Sequence, residues 1–310
     1  MKAEHSKQIW VSSPLSTPQR IAITGASGLI GTALVGYLKS EGHTVQRLVR
    51  RAPVAPDEVQ WDPRTGFVDL EPLRGVDAII HLAGVGVGDK RWNKKYKAEI
   101  LNSRLLGTTA IAHAVTELAP QVFISASAIG WYGESGNRAV VESDRVGDDF
   151  LAAVCREWEA AADLAQGVRT VKLRTGLVLD PTGGALGKML PLFRFGLGGK
   201  LGNGKQWWSW ITLHDLIRAI SFLLEKPISG PVNVTGPNPV TNQDFTSALA
   251  RALHRPALFP APAIGLKIAL GGFSSEILGS KKVIPAVLSE AGFEWDYPHI
   301  SSALSALIEE

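Results

Sequence analysis

A chain of 310 residues with 45% hydrophobic and 20% charged content has enough apolar mass for a sizeable core, in one large α/β domain or two smaller ones. A net charge of +3 with both signs interspersed gives no general affinity for nucleic acid, and the single cysteine, Cys155, excludes an internal disulfide and a cysteine-built metal site. No segment approaches the roughly 18 uninterrupted apolar residues of a membrane span, so a cytoplasmic monomer or homodimer is expected, acting on a small molecule with no nucleic-acid or membrane partner.

Residues 1–19 are polar, carry Pro14 and Pro18, and read as a loose extension; Ile9-Trp10-Val11 is too short for the apolar region of a secretion signal. The first regular unit is Ile21-Ala22-Ile23-Thr24-Gly25-Ala26-Ser27-Gly28-Leu29-Ile30-Gly31, a buried strand and glycine turn leading into a helix over 32–39. Gly25 allows a sharp turn, Gly28 lets backbone approach a diphosphate, and Gly31 lets helix and strand touch. The free N–H groups of the helix start then face that diphosphate. The spacing is G-x-x-G-x-x-G rather than G-x-G-x-x-G, so its force comes from its place between an apolar strand and an amphipathic helix.

The second strand, 44–49, ends in Leu48-Val49-Arg50-Arg51, and the first acid after it is Asp57. A fold that prefers NAD usually places Asp or Glu here for the ribose 2′-hydroxyl, whereas two guanidiniums suit a 2′-phosphate. NADP(H) is therefore favoured, with solvated surface arginines as the alternative. Residues 61–70 read as a short strand and turn, and 77–84 as a buried strand whose small end, Leu82-Ala83-Gly84, lets a ribose or flat ring lie against backbone. A helix over 94–119, a strand over 121–125, a helix over 148–165 and a strand over 170–179 complete the alternation. That order predicts an α/β fold with a Rossmann-type doubly wound parallel sheet over 20–180.

Residues 181–310 are expected to form a small, mostly helical substrate-side cap, with parts of the chain crossing back. Met189 and Phe193 lie in its glycine-rich opening, and Trp207, Trp208 and Trp210 are too many for one core-facing stripe. Met189, Phe193, Trp208 and Trp210 are thus candidates to line an apolar substrate pocket, with packing as the alternative. Helices are expected over 213–225, 242–253, 263–270 and 283–290, with a strand over 231–235. No His/Cys/Asp/Glu cluster has metal-ligand spacing, so no metal is expected.

These residues resemble the extended short-chain dehydrogenase/reductase superfamily, the NAD(P)-dependent epimerase/dehydratase group. The carriers are the Thr24–Gly31 loop, His81-Leu82-Ala83-Gly84, Ser125-Ala126-Ser127-Ala128 with Tyr132-Gly133, and Gly202-Asn203-Gly204 ahead of Trp210-Ile211-Thr212-Leu213-His214-Asp215. Arg91-Trp92-Asn93, Trp158-Glu159-Ala160-Ala161, Leu173-Arg174-Thr175-Gly176, Trp208-Ser209-Trp210-Ile211 and Lys282-Val283-Ile284-Pro285 are similar to one atypical "epimerase family protein" branch. The resemblance implies that Gly25, Gly28 and Gly31 hold the diphosphate, Val49 and Arg50 meet the 2′-phosphate, and Asp62 faces the adenine. It also implies that Leu82 and Ala83 flank the ribose, that Glu99 and Arg104 stand on the cofactor side, and that Val178 is near the nicotinamide. Glu99 and Arg104 read equally well as a helix-surface ion pair.

The superfamily moves protons with a Tyr-x-x-x-Lys pair and a serine. Alignment on Ser127 and Glu159 puts Leu151 and Cys155 in the tyrosine and lysine positions, and neither can do that work. Ser127, Tyr132 and Lys188 remain as catalytic candidates; capping suits Ser127 equally, and His214-Asp215 reads as structural. An NADP(H)-dependent oxidoreductase on a small apolar carbonyl or alcohol is expected. A catalytically silent NADP(H) sensor is the first alternative. A sugar-nucleotide epimerase is the second, weakened because Trp208-Ser209-Trp210 stands where an arginine would bind the substrate diphosphate.

Overall fold

A computed structural model describes residues 17–309, so most of the expected extension over 1–19 lies outside the described residues. The chain opens with β1 (Arg20–Thr24), α1 (Leu29–Ser40), β2 (Thr44–Val49), β3 (Glu58–Asp62) and the short β4 (Phe67–Val68). It continues through β5 (Ala78–His81), α2 (Lys94–Leu118), β6 (Val122–Ala128), β7 (Ala139–Val140), α3 (Phe150–Ala162) and β8 (Arg169–Thr175). Then follow β9 (Leu177–Asp180), α4 (Gly184–Arg194), β10 (Trp207–Trp208), β11 (Trp210–Thr212), α5 (Leu213–Glu225) and β12 (Gly230–Val234). β13 (Val240–Thr241), α6 (Asn242–Ala252), α7 (Ala263–Leu270), α8 (Ser274–Leu278), β14 (Lys282–Val283), α9 (Ala286–Glu290) and α10 (Ile300–Glu309) complete it.

The main sheet has the order β12-β8-β6-β5-β1-β2-β3-β4, parallel except where β4 turns back on β3. Side chains alternate across each strand. Ile21 and Ile23 of β1 therefore pack with α1 and α5 on one face, while Ala22 packs on the other with Ile111 and Val115 of α2 and Ala162 of α3. Asn93, Asp149, Thr212 and Thr241 each accept a backbone N–H at the start of a helix, fixing α2, α3, α5 and α6. The reversal of strand order between β1 and β5 opens a crevice at the carboxyl edge, where such sheets bind ligands. Among the described residues, no helix is long and apolar enough to cross a membrane.

Several expectations need correction. The strand expected over 170–179 breaks at Gly176, where a Cβ would stand 2.6 Å from the Ser209 carbonyl oxygen, and β9 leaves the main sheet to pair with β11. The glycine-rich opening of the second half carries a helix, Gly184–Arg194, because Leu186, Leu190 and Phe193 bury one face in a second core with α6 and α10. Residues 283–290 are not one helix, since Val283 belongs to a strand paired with β7 and a short helix begins only after Pro285. α10 was not foreseen.

Candidate active site

The turn between β1 and α1 has two glycines fixed by packing and one left open. Gly25 has φ +70°, and a Cβ on it would lie 2.9 Å from the Ala83 nitrogen; a Cβ on Gly31 would lie 2.8 Å from Ala26 Cα. A Cβ on Gly28 would touch only the Gly25 oxygen, at 3.4 Å, and project into open space. That space is a cleft of about 990 Å³ lined by Gly25, Ser27, Gly28, Val49, Arg50 and Arg51, together with Leu82, Ala83, Gly84 and Glu99. Thr24 Oγ1 accepts the N–H groups of Leu82 (3.1 Å) and Ala83 (3.2 Å) and donates to His81 Nδ1 at 2.7 Å, so β1 and β5 are locked at the cleft floor. Burial holds the His81 imidazole at a pKa of about 3, neutral.

The arginines at the end of β2 have separate roles. Arg47 makes a two-point contact with Asp57 (3.0 and 2.7 Å), and Arg51 does the same with Glu58 (2.8 and 2.6 Å). The hydrogen bond from Arg51 lowers the Glu58 pKa to about 2. Arg50 has no ion pair or hydrogen bond among the described residues and faces the cleft. Arg64 also lines it, whereas Asp62 turns its carboxylate to the Arg64 N–H at 2.9 Å and is not part of the lining.

Leu29, Ile30 and Gly31 lie behind the loop, and Val178 pairs with Ile211, so none of these lines the cleft. Glu99 and Arg104 do not pair with each other. Glu99 lies 3.6 Å from Lys90, while Arg104 donates to the carbonyls of Val85 (2.9 Å) and Ile100 (3.2 Å) and stacks 4.7 Å from the Trp158 ring centre. Burial depresses its pKa. Arg104 thereby clamps the turn after Gly84 from below.

Of the catalytic candidates, Ser127 and Tyr132 are joined in one buried network, and Lys188 stands apart from them. Ser127, 4% exposed, donates to Glu159 Oε1 at 2.7 Å. Glu159 is held by Arg174 through Nε (2.8 Å) and Nη2 (2.9 Å), and the guanidinium lies 3.9 Å from the Trp131 ring centre. The Tyr132 hydroxyl, also buried, accepts from Arg174 (3.1 Å) and donates to Asn233 Oδ1 at 2.6 Å. Burial pushes its pKa up to about 12. Ser127 and Tyr132 thus belong to a buried network joining β6, β8, α3 and β12. Lys188 stands exposed at the rim, donating to the Gly88 carbonyl at 3.4 Å.

Among the described residues, His214, Asp215 and Asp296 come within the 4.8 Å spacing of metal ligands, an approach that the sequence did not signal. The Asp215 carboxylate is committed to the N–H groups of Asp296 and Tyr297, both at 3.0 Å, and to Arg218 at 3.1 Å. Its geometry is that of a loop clamp.

Residues 21–236 match the model of the NAD dependent epimerase/dehydratase family, and residues 261–307 match a domain of unknown function, DUF1731. The chain belongs to the epimerase/dehydratase family. An epimerase family protein of Mycobacterium leprae is 43% identical over 92% of this chain and 94% of its own. A chloroplastic epimerase family protein of Arabidopsis thaliana, an SDR39U1 homolog, is 36% identical over 96% of this chain and 89% of its own. The crystal structure of human epimerase family protein SDR39U1 with NADPH is 33% identical and superposes with a TM-score of 0.87 over 94% of this chain and 99% of that one. The UDP-N-acetylglucosamine 4-epimerase of Bacillus cereus has a TM-score of 0.74 at 18% identity, over 94% of this chain and 98% of its own, a likeness of fold alone.

Within this epimerase/dehydratase fold, the positions expected to hold tyrosine and lysine are apolar or inert. A Cβ on Gly130 would lie 3.2 Å from Leu151 Cβ and 3.4 Å from Cys155 Sγ. Burial, with the charge of Glu159, pushes the Cys155 thiol up to about 12. The same thiol feels Glu276 of α8, whose Oε2 accepts from Lys281 Nζ at 2.9 Å. The Lys281 side chain is only 7% exposed and that of Glu276 is 25% exposed. The only local signal for this pair is the doublet Lys281-Lys282 at the start of β14, of which alternation turns one lysine inward.

The structure places the expected substrate residues at the second core. Phe193 and Trp210 are buried in the second core, Met189 packs against it, and Trp208 lies edge-on to Phe245 with ring centres 5.2 Å apart. An aromatic wall stands elsewhere, where Trp92 meets Phe150 (5.2 Å) and Phe273 (5.6 Å) beside the 85–90 turn.

Proposed function

We propose that this protein is an NADP(H)-dependent oxidoreductase of the atypical short-chain dehydrogenase/reductase type, acting on a small, largely apolar carbonyl or alcohol. The observation that carries the reading is Arg50: a cleft-facing guanidinium with no partner among the described residues, beside two arginines that acids neutralise. An uncommitted guanidinium there suits a 2′-phosphate. Gly28 leaves room for a diphosphate at the start of α1, and the related human protein was crystallised with NADPH. A bound NADPH would supply the hydride. This chain would hold the coenzyme through the Gly25–Gly31 turn and Arg50, and would supply the proton for the substrate oxygen.

For that proton we propose Lys281, because its partner Glu276 lies close enough to raise the pKa of Cys155, the residue in the superfamily's lysine position, whereas the hydroxyls of Ser127 and Tyr132 are bonded in the buried network. The aromatic wall of Trp92, Phe150 and Phe273 favours an apolar substrate. The buried Ser209, bonded to the Lys281 carbonyl at 2.8 Å and flanked by packed tryptophans, leaves no arginine in that segment for a sugar nucleotide. NADPH incubated with quinones, aldehydes and ketones, with loss of reduced coenzyme followed optically, tests the reading. Oxidation by at least one carbonyl is expected, with Lys281→Met and Glu276→Gln slowing turnover and leaving NADPH affinity unchanged. Tight NADPH binding without oxidation by any carbonyl would favour the second reading, a silent coenzyme sensor, which Leu151 and Cys155 support.

A further inference from the structure

An apolar face rimmed by unpaired cations covers the side of the molecule formed by the end of α4, the 195–202 segment, the 258–262 segment and α7. Phe195 is 80% exposed and is flanked by exposed Leu192 and Leu197. The Phe259 N–H donates to the Gly198 carbonyl at 3.2 Å and the Ala261 N–H to the Lys200 carbonyl at 2.9 Å, so exposed Leu258 and Phe259 lie in the same sheet of surface. That strand-like pair runs into α7, in which no residue is buried and Ile264 (74% exposed) and Ile268 (69%) share one side. Isolated exposed apolar residues need no explanation, but a contiguous set on an unpartnered helix does.

The charge around this face has one sign. Residues 181–214 and 245–275 contain no Asp or Glu. Besides Lys188, which pairs with Asp89, they carry Arg194, Lys200, Lys205, Arg251, Arg255 and Lys267, none of which forms an ion pair among the described residues. The acids that bound these two segments in the chain each have a partner: Asp180 accepts from the Thr182 N–H, Asp215 pairs with Arg218, Asp244 accepts from the Thr241 hydroxyl and Glu276 pairs with Lys281. Aromatic and aliphatic side chains surrounded by free Lys and Arg match the interface of an anionic bilayer, where the rings enter the headgroup region and the cations meet lipid phosphates. A second copy of the chain would bring the same positive rim against itself.

We propose that this face docks the protein peripherally on an anionic lipid surface. No spanning segment is required for a surface that lies on a bilayer. The face ends beside the cleft: Gly271, just after α7, bridges to Trp92, Phe273 lies tilted 5.6 Å from the same ring, and the adjoining turn at Gly86 and Asp89 lines the cleft. Docking therefore brings this aromatic wall, beside the turn that lines the cleft, close to the membrane, an arrangement suited to an apolar substrate dissolved in lipid. The proposal goes beyond the coenzyme reading and does not depend on turnover.

The test is sedimentation of the full-length protein with vesicles of phosphatidylcholine alone and of equimolar phosphatidylcholine and phosphatidylglycerol. The wild type is expected to pellet with the anionic vesicles, to stay in solution with the neutral ones, and to be released as salt rises toward ~1 M, where charges are screened beyond about 3 Å. The triple variant Phe195→Asp/Ile264→Asp/Ile268→Asp alters only exposed positions and is expected to lose binding at least ~10-fold while NADPH affinity, the check on folding, stays as it was. Failure of the folded wild type to bind anionic vesicles overturns the proposal. So does a concentration-dependent dimer that the triple variant abolishes, which would make the face a contact between copies.

Discussion

Arg50 and Arg51 are chain neighbours with opposite commitments: Arg51 donates twice to Glu58, at 2.8 and 2.6 Å, while Arg50 points into the cleft with no partner among the described residues. Charge-assisted contacts are worth ~1.5–3 kcal/mol, so Arg50→Ala should weaken NADPH by roughly 10- to 100-fold and NADH hardly at all. Arg51→Ala should change both coenzymes by the same small factor. Paired calorimetric titrations check this, and equal losses for both coenzymes in Arg50→Ala would reduce Arg50 to a surface charge.

The glycine turn gives a second contrast. Gly31→Ala forces a methyl to within 2.8 Å of Ala26 Cα, so the loop must shift and the fold should lose stability. Overpacking of this kind costs ~1–3 kcal/mol. Gly28→Ala meets only an ordinary contact at 3.4 Å, so the protein should melt normally yet bind NADPH much more weakly, because the methyl occupies the space of the diphosphate. Chemical unfolding and coenzyme titration of both variants separate the two effects.

Ser127 supports the structure in this chain. Its hydroxyl, buried against Glu159 at 2.7 Å, adds one arm to the Glu159–Arg174 pair. Ser127→Ala should reduce stability by ~1–2 kcal/mol and leave NADPH binding and any turnover in place. Glu159→Ala strands the Arg174 guanidinium, 2% exposed, and should cost ~3–5 kcal/mol. Urea unfolding measures both. An inactive but fully stable Ser127→Ala would return the serine to catalysis.

His81 makes stability depend on pH. Its folded pKa of about 3 lies below its ordinary 6.5, so between these values the unfolded chain binds the proton that the folded one refuses. Its contribution is complete above pH ~6.5 and fades as pH falls toward 3, by up to ~5 kcal/mol for a fully buried ring. Urea unfolding at a series of pH values should show the slope in the wild type and a flatter one in His81→Leu. An unchanged slope would place its origin elsewhere.

The first half was legible because local pattern and tertiary role coincide there. An apolar strand, a turn needing glycine at Gly25 and a helix face bearing Leu34 and Leu38 all point to the same arrangement, and β2 and α2 follow from their own periodicity. The second half was harder, because long-range packing overrides local chemistry. Gly184 and Gly187 argue for a loop, yet burial of Leu186, Leu190 and Phe193 makes a helix. In the site, residue type identified Arg50 but could not say that Arg51 is taken by Glu58 seven residues on. Ser127 and Tyr132 show the sequence only their hydroxyls, and the fold reveals that Glu159 and Asn233 hold them. The Glu276–Lys281 pair approaches Cys155 from more than a hundred residues away, a juxtaposition that no local pattern encodes.

Calorimetric titration of the folded full-length chain with NADPH and, separately, NADH probes the coenzyme cleft most directly. Saturable binding of NADPH, at least ~10-fold tighter than NADH, is the expected result from one charge-assisted contact to the extra phosphate. No heat from either coenzyme at concentrations far above the usual cellular range, with the protein shown to be folded, would contradict it.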